Sequence, residues 1–406
     1  MPTTTAATLI SKVNYEIHNA KGKLGGDTAM LEVLNSGLTS LRTNVALEGA
    51  KRYGAPFVLY GACHEYAAPS DLSHERVVEL IDEAGNIWEF DKTNPREFYA
   101  ARNPLSLNSV DRLRNSFQNP TGLTRTGVYA VDFNDGDSFM LIRANKQISW
   151  TSLHSFDSYS SNGTWTASND AASVGTDTQV YRSGASSVIF DTSGGATTAT
   201  LTNSDMTAVD LSGYTNGRGF FDLYVPTTPP TSITVKWGSS ASAYHSKTVT
   251  TQQNGLAFKK GWNVVGFDWR GSTPTGSSTD TAIDYAQIAL TFSSASAQTG
   301  FRLDNLRFGL GVGMTAKYYS TKLVRDGAAG NAELAEFADT SDYTILRENE
   351  VNLLVEECTQ IALMRLREFG EAKNRLENKY IPMLALYASN NPDQTEPRSY
   401  TYYNIG

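Results

Sequence analysis

The chain has 406 residues, a formal net charge of −8 and 19% charged residues, with aromatics at 11%. That aromatic content excludes a disordered chain, and the acidic balance excludes a protein whose whole surface grips nucleic-acid phosphates. No apolar run approaches the roughly 20 residues that cross a bilayer, so no membrane partner is expected.

Residues 6–19 and 28–52 read as helices. The second places Leu31, Leu34, Leu38 and Leu41 at spacings of three and four, with Val45 four further on; Gly37 interrupts the pattern. Val77–Ile81 and Asn86–Phe90 flank Asp82–Gly85 as a hairpin. Val128–Phe133 and Ser138–Arg143 flank Asn134–Asp137 as another, since Asp-Gly favours positive φ. A short helix over 108–117 lies between them.

Residues 151–310 contain no Glu, and 49 of these 160 residues are Ser or Thr. A shift this sharp marks an inserted domain, 150–310. Short β-rich runs recur between turn clusters: 187–190, 198–201, 219–225, 232–237, 247–251, 262–267, 285–292 and 301–308. Eight or so such strands predict an all-β sandwich or jelly roll. Gly309–Gly313 is read as its flexible exit hinge.

The rest, 1–149 and 311–388, forms one host domain. Its clearest element is a helix over about 343–380, where Val355, Cys358, Ala362, Leu366, Phe369, Ala372, Leu376 and Tyr380 step by three or four. Glu356 and Glu357 fall on its polar faces. It would be about 55 Å long, ended by Pro382. A polar tail, 389–406, follows. The expected fold is α+β and multidomain: a mainly helical host with β-hairpins and one long C-terminal helix, interrupted by the sandwich.

Catalytic motifs are missing. There is no GxSxG, GxxxxGK[ST], HExxH or CxxC, and the five His form no ligand spacing. Cys63 and His64 are adjacent, so on a strand they point to opposite faces. The two cysteines exclude a disulfide framework. With no basic n-region or apolar h-region at Met1–Ala7, folding in a reducing cytoplasm is expected. No carboxylate pair stands out for glycoside hydrolysis, and the expectation is a protein that is not an enzyme and needs no cofactor.

The insert offers two binding candidates. Trp165, Tyr244 and Trp269 adjoin turn-like sequence and are candidates for stacking on sugar rings, with core packing as the competing reading; Trp237 and Trp262 are expected in the core. Asp157, Asp304 and Asn305 are candidate oxygen ligands for a structural Ca²⁺ if the domain's ends meet.

Phe57–Leu72, with its Tyr66…Pro69-Ser-Asp71-Leu72 segment, resembles tailed-bacteriophage head–tail adaptor (connector or neck) proteins. The order of helical pair, this segment, hairpin, long helix and extended tail is similar. The insert resembles carbohydrate-binding-module-like jelly rolls grafted into virion proteins. The resemblance implies a virion structural protein made in the host bacterial cytoplasm. It implies a ring, dodecameric, below the portal, joined to a tail or neck protein beneath, with packaged DNA passing in transient contact. Arg398, Tyr400, Tyr402 and Tyr403 would then contact the portal. The alternative is a carbohydrate-binding or adhesin module on the virion surface.

Overall fold

The computed structural model describes residues 4–88, 90–92, 95, 127–134, 137–144, 148–328 and 332–390. The chain divides into two compact units. One contains 1–54, 69–78 and 316–406; the other contains 55–68 and 79–315.

The first unit is built on helices α1 (Ala6–Glu16), α2 (Ala20–Leu24), α3 (Asp27–Asn44), α4 (Glu348–Arg365), α5 (Phe369–Arg375) and α6 (Ile381–Asn390). The apolar stripes of α1, α3 and α4 share one core: Leu9 and Val13 with Leu34, Leu38, Leu41, Leu354 and Leu363. Gly37 serves this packing. A Cβ there would stand 2.4 Å from Cys358 Sγ, so its absence lets α3 and α4 close together. Cys358 is fully buried and burial pushes its thiol well above the usual range.

The long helix expected over 343–380 is three segments. α4 ends at Leu366, Arg367 takes a left-handed φ of 62°, and the Glu368 N–H returns to the Leu363 carbonyl. This is the Schellman geometry that glycine usually supplies, so an arginine there gave no stop signal. Pro382 does not end the helix either. A π turn over Leu376–Tyr380 precedes α6 and carries the chain past a proline in α6's first turn. Nor is α3 as long as expected, because Val45 turns extended and a 3-10 turn, Glu48–Ala50, leads into strand Lys51–Tyr53.

The host is not mainly helical. Besides these helices, its sequence forms strands Phe57–Tyr60, Leu72–Asp82 and Gly311–Ser320, and a four-stranded sheet in the order 65–67, 137–144, 127–134, 90–92. Both expected hairpins form: Leu80 pairs with Trp88 across Asp82–Gly85, where Asp82 Oδ1 accepts the Ala84 and Asn86 N–H groups, and Asn134 pairs with Asp137. The 108–117 helix lies outside the described residues.

The second unit contains the sandwich. Its strands are β1 (Trp150–His154), β2 (Thr166–Asn169), β3 (Ala171–Asp177), β4 (Ser187–Ser193), β5 (Thr198–Asn203), β6 (Arg218–Val225), β7 (Ser232–Ser240), β8 (Ala243–Val249), β9 (Gly261–Asp268), β10 (Thr273–Thr275), β11 (Tyr285–Thr291) and β12 (Ala297–Gly309). All pair antiparallel in two sheets. The first has the order β3-β4-β12-β6-β9, with β1 also on β12; the second has β2-β5-β11-β7-β8-β10. Alternate residues turn inward, among them Phe221, Leu223 and Val265 from one sheet and Val235, Trp237 and Ile288 from the other.

Gly309–Gly313 is not a hinge. It joins β12 directly to strand 311–320, and its glycines permit close approach: Cβ atoms at Gly309, Gly311 and Gly313 would meet Ala62, Val58 and Glu83.

Candidate functional site

The outward face of the second sheet follows from alternation. Because Val235, Trp237, Ala286 and Ile288 point into the core, their neighbours Lys236, Gly238, Tyr285 and Gln287 point out. Register aligns them in cross-strand rows. One runs Tyr285–Gly238–Tyr244–Thr275, and the next Thr166–Thr202–Gln287–Lys236–Ser246–Thr273. A third is Thr200–Ala289–Thr234–Thr248.

Gly238 shapes the first row. A Cβ there would lie 2.4 Å from Tyr244 Cα, so glycine leaves room between the two tyrosines. Their ring centroids are 6.1 Å apart. Tyr285 is buried beside Tyr244, which is itself half-exposed. Lys236 Nζ stands 4.6 Å from the Tyr244 ring centroid. A hydrogen bond from Thr275, then the Lys236 charge, hold the Tyr244 phenol below its ordinary pKa; burial pushes that of Tyr285 up. The flanking polar groups are tied to one another: Gln287 Nε2 donates to Thr202 Oγ1 (2.9 Å), and the Thr234 and Thr248 hydroxyls meet at 2.8 Å. The result is a fixed strip of tyrosine, amide, ammonium and hydroxyl groups.

Of the sequence-based stacking candidates, only Tyr244 is on a surface. Trp165 is 1% exposed, packed on Phe156 at 4.9 Å and edge-on to His154. Trp269 is 5% exposed and contacts Trp237 and Phe308, each at 5.4 Å. Adjacent turns misled the reading, because both indoles close the ends of the core from loop positions. Trp237 is core as expected, but Trp262 is half-exposed on the first sheet's outer face, edge-on to Tyr224 at 5.5 Å. Its neighbour Asn263 is the buried one, with its amide bonded to the carbonyls of Lys259 and Gly261. Tyr285 and Lys236 were missed. Each alternates with a core residue, Tyr285 with Ala286 and Lys236 with Trp237, which was the available signal.

The Ca²⁺ candidates do come together, since the Asn305 N–H reaches the Ser155 carbonyl at 3.1 Å. Their surroundings suit a different task. Asp304 Oδ2 accepts the N–H groups of Arg182 (2.6 Å) and Ser183 (2.8 Å), and Asp157 Oδ1 accepts that of Ala185 (2.8 Å). Both carboxylates thus face donors and hold the 182–186 turn. Asn305 has a left-handed φ of 50° and directs its carbonyl to Arg307. These residues do not fit a cation, and among the described residues no group of three or more His, Cys, Asp or Glu is placed to hold a metal. Burial and the Asp222 charge push the Asp304 carboxyl up to about 7.

Other candidates are structural. Cys63 is buried with its thiol pushed up to about 11, while His64 Nδ1 faces the Ile142 carbonyl, so they form no catalytic pair. Tyr66 is buried and its hydroxyl bonds Tyr60 and Cys63. In the first unit a cleft of about 510 Å³ is lined by Thr8, Lys12, Tyr15, Glu16, Glu356, Lys379 and Met383. Glu356 is not on a polar face as expected. It is buried and paired with Arg375 (3.1 Å) and Lys379 (2.7 Å), so much of the cleft's charge is internally compensated. Arg398, Tyr400, Tyr402 and Tyr403 lie outside the described residues.

No protein-family model matches the chain, and no curated protein matches it. Among solved structures it is similar to a family 11 carbohydrate-binding module from Clostridium thermocellum in complex with a beta-1,3-1,4-mixed-linked tetrasaccharide. Identity is 11%, with 40% of this chain and 95% of that one covered and a TM-score of 0.29. It is also similar to the family 30 carbohydrate-binding module of the cellulosomal cellulase Cel9D-Cel44B of Clostridium thermocellum, at 11% identity, 41% and 97% coverage and a TM-score of 0.28. A carbohydrate-binding module of the β-sandwich superfamily described as promiscuous in specificity gives 11%, 63% and 99%, and 0.30. At such identity and TM-score the likeness assigns no ligand to this chain. Nothing in these comparisons supports the head–tail adaptor resemblance.

Proposed function

We propose that the sandwich is a carbohydrate-binding module and that the protein acts by binding a glycan rather than by catalysis. The observation that carries this reading is the Tyr285–Gly238–Tyr244 row, set beside Lys236 and Gln287 on the outward face of the second sheet. A half-exposed aromatic ring offers an apolar surface to a sugar face, and neighbouring hydroxyl, amide and ammonium groups match sugar hydroxyls. Because the strip sits on paired strands, little ordering is needed on binding.

The test is binding of the full chain to a panel of polysaccharides by affinity electrophoresis and calorimetry. The wild type is expected to bind at least one, and Tyr244→Ala to weaken it about tenfold, equivalent to ~1.4 kcal/mol. Failure to bind any member of a broad panel, or binding indifferent to Tyr244→Ala, would overturn the reading.

A further inference from the structure

The chain carries 42 acidic residues against 34 Lys and Arg, yet the outward rows of the second sheet contain no Asp or Glu. Their single charge is Lys236. Its cross-strand neighbours are Gln287 and Ser246, both neutral, and no carboxylate pairs with its ammonium among the described residues. Most other partly buried cations of the sandwich do have such a partner: Arg302 with Asp177, Arg307 with Asp222, Arg218 with Asp268. Lys236 instead stands over the Tyr244 ring, half-buried. An ammonium partly stripped of water and lacking a counter-charge attracts an anion more strongly than one in bulk solvent.

We propose that the ligand of this face is an anionic polysaccharide, carrying carboxylate or sulfate groups, with one anionic group against Lys236 and the sugar ring along Tyr244. This rests on the glycan-binding reading above and adds the charge of the ligand to it. Lys236 and the uncharged rows beside it give an anionic group one place to settle on this face.

The experiment measures binding of the full chain to a polyuronate, a sulfated galactan, a neutral galactan and a neutral glucan, at low and raised salt. An anionic polymer is expected to bind more tightly than its neutral counterpart. Lys236→Gln is expected to weaken that polymer about three- to fivefold more than it weakens its neutral counterpart, with Lys236→Arg retaining the preference. Raised salt should erode the anionic advantage. The two anionic arms show whether carboxylate or sulfate is preferred. Neutral polymers bound as well as anionic ones, or equal losses on all four from Lys236→Gln in a variant with an unchanged melting curve, overturn the charge preference and leave glycan binding standing. Binding to none of the four overturns the charge preference itself, and the broad panel decides glycan binding separately.

Discussion

The Tyr387 hydroxyl donates a 2.7 Å hydrogen bond to Glu350, a carboxylate with no solvent exposure. Glu350 also accepts the N–H groups of Gly49 (3.1 Å) and Arg347 (2.8 Å), while Tyr387 Oη accepts that of Glu48 (3.0 Å). One buried carboxylate thereby ties α6, the 48–50 turn and the N-terminus of α4. Burial, then the Glu350 charge, push the Tyr387 phenol far above its usual range.

Removing that hydroxyl should loosen α6. Tyr387→Phe is expected to lower stability by about 1–2 kcal/mol, and Glu350→Gln by about 2–3 kcal/mol, since its amide turns a donor toward donors. Urea unfolding midpoints measure both. Variants that unfold with the wild type would show that α6 is held by its apolar contacts alone.

The tryptophans separate core from surface. Trp165→Ala and Trp269→Ala each empty a buried indole and are expected to cost about 3–5 kcal/mol. Trp262→Ala removes a half-exposed ring and should cost well under half of that. Thermal melts rank the three. A Trp262 variant as unstable as the other two would place that indole in the core after all.

How much of this was legible beforehand can be argued from particular residues. The sandwich strands were, because runs such as Ile233-Thr-Val-Lys-Trp237 alternate visibly and turn clusters separate them; the observed β7, β9 and β11 follow the expected runs closely. Strands β2 and β10 carried no such signal, being short and polar and holding their place by pairing with β5 and β8. The break at Arg367 was invisible, since a left-handed arginine is set by tertiary contacts and not by propensity. For the site, alternation separates the two faces of a strand without telling which faces the core when both carry aromatics. That ambiguity put Trp262 in the core, whereas Trp165 and Trp269 lie at loop positions, where alternation says nothing. Glu356 looked exposed by period, and only the approach of Arg375 and Lys379 from a later segment made its burial tolerable.

His154 gives the sandwich an acid-side weakness. The Phe156 N–H donates to its Nδ1 (2.9 Å), which leaves the ring proton on Nε2 facing the Asn162 carbonyl (3.1 Å). Burial holds its pKa down to about 4, from 6.5. A group depressed in this way stays neutral in the fold while the unfolded chain gains a proton below pH 6.5. The contribution of His154 to stability should therefore fall between pH 6.5 and 4, by ~3 kcal/mol in all. His154→Gln should be less stable than the wild type at pH 8, and that deficit should shrink across the window, as read from denaturation midpoints of both proteins at pH 8, 6 and 4.5. Parallel curves for the two proteins would mean that the imidazole titrates normally.

Asp304 works in the opposite direction. Its carboxyl is fully buried, and with the Asp222 charge nearby its pKa rises from 3.8 to about 7. The folded chain then keeps a proton that the unfolded chain loses above pH 4, so this group's contribution is whole below pH 4 and fades as pH rises to about 7. Ser183 Oγ donates to Oδ1 at 2.9 Å while Oδ2 accepts the Arg182 and Ser183 N–H groups; once the acid is protonated, this rotatable hydroxyl can turn to accept its hydrogen. Asp304→Asn reproduces that arrangement without titrating. It is expected to match the wild type near pH 5 and to exceed it at pH 8 by about 2–4 kcal/mol. Because the His154 window overlaps with opposite sign, the difference between variant and wild type at each pH is the quantity to follow. An asparagine variant that falls further behind as pH rises would show the carboxylate charged in the fold, with its N–H donors outweighing burial.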